Sequence, residues 1–365
     1  PLEIFGHTGW CEGLAFSPDN SVVASCSDDG TIKLWESATG ALERTLVGHG
    51  QYVFSIAYSP DGKVLASGGG DSTVRIWDPE TGEPIKVLAG HSGYVFTTAF
   101  SADGSLLASA GADKTVCLWR RNDWSLVRKI TGLTGAVFSV AFSRDGALVA
   151  SGGQEAQVRL WKVEDGTEVR SWAAHRAEVT SVAFVPTGGR LLSAGDDGLI
   201  KEWNAADGTL LHSLTGHVAR VRSIALSPDG GVLVSCGDDG TVRIWSTASL
   251  GVGAVFDHET SGSTAVAFST DGKLFAYGGE NGAFAVARNP VQPPQTVRVD
   301  RIEMIVPGHI EMAVFCPGGD RFTVEISDDL AVWRPLGTYA RTGDTTLVQD
   351  APGEVQKRFY RVRQP

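Results

Sequence analysis

Histidine, serine and aspartate at fixed intervals are the residues of this chain best suited to chemistry. His49, Ser67 and Asp71 occur in that order, with Trp77 close behind. A serine nucleophile, a histidine base and an orienting carboxylate would together support acyl transfer. The same set recurs as His7, Ser25, Asp29 and Trp35, and as His91, Ser109, Asp113 and Trp119. It recurs again as His175, Ser193, Asp197 and Trp203, and as His217, Ser235, Asp239 and Trp245. A nucleophile is needed once, whereas this constellation occurs five times. Repetition therefore argues for a structural role and against catalysis. One further unit has Leu133 and Glu155 in place of His and Asp, so its network is expected to be absent.

Other chemistries find little support. Six of the eight histidines, His7, His49, His91, His175, His217 and His258, belong to the repeated positions. Only His212 and His309 remain, too few for a zinc or iron site that gathers two or three imidazoles. The Asp28-Asp29, Asp196-Asp197 and Asp238-Asp239 turns lack the alternating acidic positions and closing Glu of a calcium loop. No Gly-Lys-Ser/Thr phosphate cradle occurs; the glycines at 68–70 belong to a turn. Neither a cofactor nor a metal is expected. The five cysteines, Cys11, Cys26, Cys117, Cys236 and Cys316, match no CxxC or disulfide framework. They read as small packing residues, with a local Cys11–Cys26 bond left open. Lys plus Arg number 31 against 42 for Asp plus Glu, a net charge of −11. An acidic body repels phosphate backbones, which disfavours nucleic-acid binding. No stretch approaches the roughly 18 apolar residues of a membrane-spanning helix.

The elements that hold these residues are set by a constant period. Trp35, Trp77, Trp119, Trp161, Trp203 and Trp245 follow one another at a step of 42. Gly6-His7, Gly48-His49, Gly90-His91 and Gly216-His217 keep the same step. Between them lies Ser59-Pro60-Asp61-Gly62 or a relative of it, a turn in which Pro presets φ and Gly accepts φ > 0. Each unit reads as four short strands. Such a unit cannot bury both faces alone, so units must stack, and stacking about an axis gives a propeller.

Gly-His, then Ser-Pro-Asp-Gly, then Asp29-Gly30-Thr31-Ile32-Lys33-Leu34-Trp35 resembles the signature of the WD-repeat β-propellers. The resemblance spans residues 1 to about 290. It implies an all-β, seven-bladed propeller of four-stranded blades. The seventh unit is degenerate: Tyr277, Asn281 and Ala287 stand where Ser, Asp and Trp are expected, and His258 is offset by one residue. In this family the first strand completes the last blade, a role that fits Leu2–Phe5. The resemblance also implies that the five tetrads are buried hydrogen-bonded networks.

Partners of such propellers dock on the narrow top face. The resemblance places at that rim Trp10 and Glu12, Tyr52 and Phe54, Tyr94 and Phe96, Ala136 and Phe138, Glu178 and Thr180, and Arg220 and Arg222. Aromatic residues fill one half and Glu178, Arg220 and Arg222 the other, with Asp28, Asp196, Asp238 and Glu280 around the same mouth. The aromatics resemble an interface cluster. The competing reading turns Phe54, Phe96 and Phe138 inward as a plug of the channel.

Residues 291–295 read as a Pro-rich linker. Residues 296–365 read as six strands, a small sandwich or barrel. The run Phe322 to Leu330, Trp333 and Arg358 to Arg361 is similar to a C-terminal β-sandwich module of large exported bacterial proteins, which implies a bacterial, extracytoplasmic origin. The start at Pro1 suggests a piece of a longer protein. The leading expectation is a non-enzymatic, monomeric scaffold that binds a protein or peptide on the top face, with no nucleic acid and no membrane insertion. One alternative is a ligand-binding or sensory module of a larger bacterial protein. Another is an enzyme with a carboxylate site in the channel, which a pair of channel carboxyls with raised pKa values would favour.

Overall fold

The structure is a computed structural model. It describes residues 1–247, 252–257 and 262–290, together with the backbone of six strands beyond residue 297. Two compact units emerge, Pro1–Val291 and Gln292–Pro365.

The first unit consists of seven four-stranded antiparallel sheets. Blade 2 illustrates how the sequence makes one. Val53–Tyr58 is the innermost strand, followed outward by Leu65–Gly69, Thr73–Trp77 and Pro84–Ala89. The first hairpin closes on Ser59-Pro60-Asp61-Gly62. There Ser59 Oγ donates to Asp61 at 2.6 Å, and Gly62 takes φ +72°, a conformation that favours glycine. The second strand is buried throughout, the inner strand is partly buried, and the outermost strand is exposed except at Leu88.

Each blade packs its apolar face on the next. Ile32, Leu34 and Leu46 of blade 1 meet Ile56, Leu65 and Trp77 of blade 2 in one cluster. The glycine of each Gly-His pair is required by this packing. A Cβ on Gly48 would lie 2.8 Å from Trp77 Cη2, and one on Gly90 would lie 2.5 Å from Trp119 Cη2.

The ring closes through the N-terminus. Leu2–Phe5 pairs antiparallel with Ala283–Arg288, completing the sheet that Ser263–Phe268 and Leu274–Gly279 begin. Ile4 is buried there with Trp35, Phe284 and Val286. Thr270 Oγ1 of blade 7 donates to Pro18 O of blade 1 at 2.7 Å across the same seam. Blade 7 holds without the tetrad: Phe275 and Tyr277 stack at 5.9 Å, and Asn281 Oδ1 accepts the Ala283 amide at 3.0 Å. His258 lies outside the described residues.

The second unit contains two three-stranded antiparallel sheets. In one, His309–Phe315 lies between Arg298–Val306 and Thr346–Asp350. In the other, Arg321–Ser327 lies between Arg334–Ala340 and Phe359–Arg363. The linker assigned to 291–295, Trp333 and Cys316 lie outside the described residues. Cys11, Cys26, Cys117 and Cys236 are buried free thiols, so Cys11 and Cys26 are not bonded. Among the described residues no helix is long and apolar enough to cross a membrane.

Because a single strand closes the ring, truncation of its anchor should be felt by the whole propeller. Ile4→Ala is expected to destabilise by about 2–5 kcal/mol in urea unfolding. An unchanged midpoint would show that the closing strand contributes nothing.

Candidate functional site

The five His–Ser–Asp–Trp sets form the same buried chain. In blade 2, Trp77 Nε1 donates to Ser67 Oγ at 2.8 Å, and Ser67 Oγ lies 2.8 Å from His49 Nε2. His49 Nδ1 lies 3.0 Å from Asp71, which also accepts from Thr73 Oγ1 at 2.7 Å. Blade 1 repeats this with His7–Ser25 at 2.7 Å, His7–Asp29 at 2.9 Å and Trp35–Ser25 at 2.8 Å. Blade 3 has His91–Asp113 at 3.0 Å, with His91 and Trp119 each 2.8 Å from Ser109. In blade 5 His175 and Trp203 reach Ser193, and His175 reaches Asp197, all at 2.8 Å. In blade 6 His217 and Trp245 reach Ser235 at 2.8 Å, and His217 reaches Asp239 at 2.9 Å.

Proton counting assigns the states. The indole uses an acceptor pair on the serine, whose single proton goes to Nε2. The imidazole is therefore neutral and donates from Nδ1 to the aspartate. Burial lowers the pKa of all five histidines and outweighs the opposing pull of the aspartates. Burial would raise the aspartates, but hydrogen bonds from the Thr and His neighbours, or from backbone amides, hold them low. A serine committed on both sides, inside the blade, is not placed to attack a substrate.

Blade 4 has no histidine-centred chain: Leu133 stands at the His position, and Ser151 and Glu155 are bonded separately. Trp161 Nε1 still donates to Ser151 Oγ at 2.8 Å. Glu155 bonds the amide and hydroxyl of Thr134 and accepts from Arg159 Nε at 2.8 Å; Arg159 also bonds Glu168 at 2.7 Å. The longer carboxylate does what the Asp–His pair does elsewhere. Leu133 is buried in the adjoining core.

Each histidine pins the segment that leads into the next inner strand, and three residues beyond it stands a rim position. Tyr52 O accepts the Gly70 amide at 2.8 Å and Tyr94 O that of Ala112 at 2.8 Å, so rim and turn share one face. Trp10, Tyr52 and Tyr94 are 39%, 48% and 44% exposed. Phe54, Phe96 and Phe138 are half-buried and line the mouth of a central cavity of about 420 Å³. They form one wall of it without filling it.

The aromatic rings touch in series. Tyr52 meets Phe54 at 6.0 Å, Phe54 meets Tyr94 at 5.8 Å and Phe96 at 5.2 Å, and Phe96 meets Phe138 at 5.5 Å. The arc ends on Arg220, whose guanidinium lies 6.0 Å from the Phe138 ring and pairs with Glu178 at 3.4 Å. Arg222 covers Trp10 at 5.4 Å, bonds Asp238, and reaches Glu280 at 3.3 Å. The charged half is thus built onto the ends of the aromatic half.

One residue named only as a rim position acquires weight here. Glu12 takes the ring position filled by Phe54, Phe96 and Phe138 in blades 2–4 and lines the cavity. Burial, and then the carboxylate of Asp28, push it up to about 7, against the pull of Arg222. Asp28 is also raised, by burial and by Asp29.

These features define a repeat propeller in which a repeated interior holds a rim that differs from blade to blade. The WD domain, G-beta repeat family matches residues 1–36, 40–78, 82–120, 124–162, 166–204 and 208–246, and the chain belongs to that family. Individual relatives match over about one repeat. Pre-mRNA-splicing factor prp46 of Emericella nidulans is 54% identical over 43 residues, which is 12% of this chain and 10% of that protein. Protein pleiotropic regulatory locus 1 of Arabidopsis thaliana is 49% identical over 43 residues, 12% of this chain and 9% of its own. The chain thus spans about a tenth of the length of the curated relatives it matches. These relatives are fungal and plant proteins and lend no support to a bacterial origin.

Ser67→Ala strands both the Trp77 indole and His49, and should cost about 1–3 kcal/mol in urea unfolding. Ser151→Ala strands only Trp161 and should cost less; equal costs would contradict the network's role. The histidines also set an acid limit. Their folded pKa values lie below 6.5, so the unfolded chain takes up protons first and stability falls as pH drops below about 6.5. The melting temperature should decline from pH 7 to pH 5; a flat profile would refute the neutral-imidazole assignment.

Proposed function

We propose that this chain is a non-enzymatic interaction scaffold that holds a protein or peptide on the top face of its propeller. The observation that carries this reading is the exposed aromatic series from Tyr52 to Phe138, continued by Trp10 and bounded by Arg220 and Arg222. Rigid aromatic side chains supply contact area at low entropic cost, and charges at the ends orient an incoming segment. Membership of the WD40 family supports protein partners in general. The relatives' names, a pre-mRNA-splicing factor and a pleiotropic regulatory locus, are consistent with protein partners.

The rest of the proposal concerns the form of the protein. The propeller acts as a monomer, binds no nucleic acid, and carries residues 296–365 as a small sandwich-like module built from the two three-stranded sheets. The alternative reading is a ligand-binding or sensory module of a larger protein whose chemistry lies elsewhere. The raised carboxyls of Glu12 and Asp28 favour a second reading, a carboxylate enzyme in the channel.

The test is capture of partners from the source organism's lysate and envelope fractions on the full chain and on a Trp10→Ala, Tyr52→Ala, Tyr94→Ala variant. A partner bound by the full chain should be retained at least tenfold less by the variant. Equal retention would move the binding surface away from the rim.

A further inference from the structure

We propose that the groove between blades 1 and 2, on the face opposite the rim, is a second docking point that takes an arginine side chain of a partner protein, its guanidinium lying over Tyr58 and paired with Asp19. This surface is separate from the top face and does not depend on it.

The molecule carries its own template one blade further on. Between blades 2 and 3, the Arg121 guanidinium lies 5.9 Å from the centre of the Phe100 ring and donates to both carboxylate oxygens of Asp61 at 3.2 Å. A step of 42 residues carries Asp61 onto Asp19, Phe100 onto Tyr58 and Arg121 onto Pro79. The carboxylate and the ring are thus repeated between blades 1 and 2, and the cation is not.

Pro79 omits more than a guanidinium. In the other six blades the residue at its place is Ser37, Arg121, Val163, Ala205, Thr247 or Asn289. Each donates its amide to a carbonyl at the end of the first hairpin turn, at 2.7–3.0 Å. Proline has no N–H, so the matching tie to Lys63 is missing. At this corner of blade 2 a groove of about 590 Å³ is open, lined by Asp19 and Leu34 from blade 1 and by Tyr58, Lys63 and Pro79 from blade 2.

Charge selects the same occupant. Four carboxylates line the groove, those of Asp19, Glu43, Asp61 and Glu80, against two cations, Arg44 and Lys63. Asp61 is already taken by Arg121. Asp19 holds only its own turn, accepting from Ser17 Oγ at 2.6 Å and from Ser21 Oγ at 2.8 Å, and among the described residues no cation pairs with it. Tyr58 is half-buried beside Asp19 and Glu43. An acidic side chain entering here would meet like charge. A planar guanidinium can cover the ring and bond the carboxylate together, which an ammonium does less well.

The probes are dye-labelled Gly-Ser-Xaa-Ser-Gly peptides in which Xaa is arginine, lysine or citrulline, a neutral isostere of arginine. Their anisotropy is read against the full chain. The arginine peptide should bind about tenfold tighter than the citrulline peptide, with lysine between them. Asp19→Asn and Tyr58→Leu should each cut that preference to about threefold or less. Pro79→Arg returns both the guanidinium and the amide, so it should abolish binding and melt at or above the wild-type temperature. The Trp10→Ala, Tyr52→Ala, Tyr94→Ala variant should keep the full preference. No preference in the wild type, or one that survives Asp19→Asn and Tyr58→Leu, overturns the proposal whatever Pro79→Arg does. Loss of the preference in the rim variant alone also overturns it, by moving the peptide to the top face. Free arginine binding more tightly than the peptide overturns it in favour of a small cation. Self-association of the wild type that Pro79→Arg abolishes would seat a second copy in the groove and overturn the choice of a foreign partner. None of these results bears on whether a partner is held at the rim.

Discussion

Within each tetrad-bearing blade, one serine hydroxyl decides how the surface is built. Its oxygen takes the indole proton and its hydrogen goes to the imidazole, which leaves the imidazole a single donor for the aspartate. Such a chain is satisfied in one arrangement only, and inside a blade an unmet member is costly. The histidine lies between the outer strand of one blade and the inner strand of the next. Fixing it therefore fixes the approach to the rim position three residues later. The aspartate at the same time holds the turn between the second and third strands, whose amide bonds the rim carbonyl. The interior thus dictates the backbone of the top face and leaves its side chains free to vary.

That division explains what was legible in the sequence. The 42-residue step, the Gly-His pairs and the Ser-Pro-Asp-Gly turns are backbone requirements, so they repeat and can be read directly. Gly48 and Gly90 are glycine because tryptophan rings lie where a Cβ would be. Leu2–Phe5 was legible as the closing strand because it parallels the segments before other Gly-His pairs. Distance to the histidine placed Trp10, Tyr52 and Tyr94 at exposed positions, whereas Thr180, placed on the rim by the same spacing, is buried.

What the sequence hid depends on contacts between distant units. Glu12 reads as one more rim residue until the ring brings it near Asp28, Arg222 and Glu280 from blades 1, 6 and 7. The choice between plug and wall for the three phenylalanines turned on their packing edge against face around a cavity that stays open. Blade 4 hid a different feature. Leu133 and Glu155 remove the histidine-centred chain, while the longer Glu155 side chain clamps Thr134 and Arg159, which spacing alone does not show. In the second unit the strand positions followed from alternation and turns, whereas residue types there named no site.

On the proposed function, the variable rim, and not the repeated interior or the outer strands, meets the partner. Hydrogen-exchange mapping of the full chain with and without a captured partner tests it most directly. Added protection should gather at the starts of the inner strands, around residues 10–14, 52–56, 94–98, 136–140 and 220–224. Protection confined to the outer strands, or to residues 298–363, would contradict it.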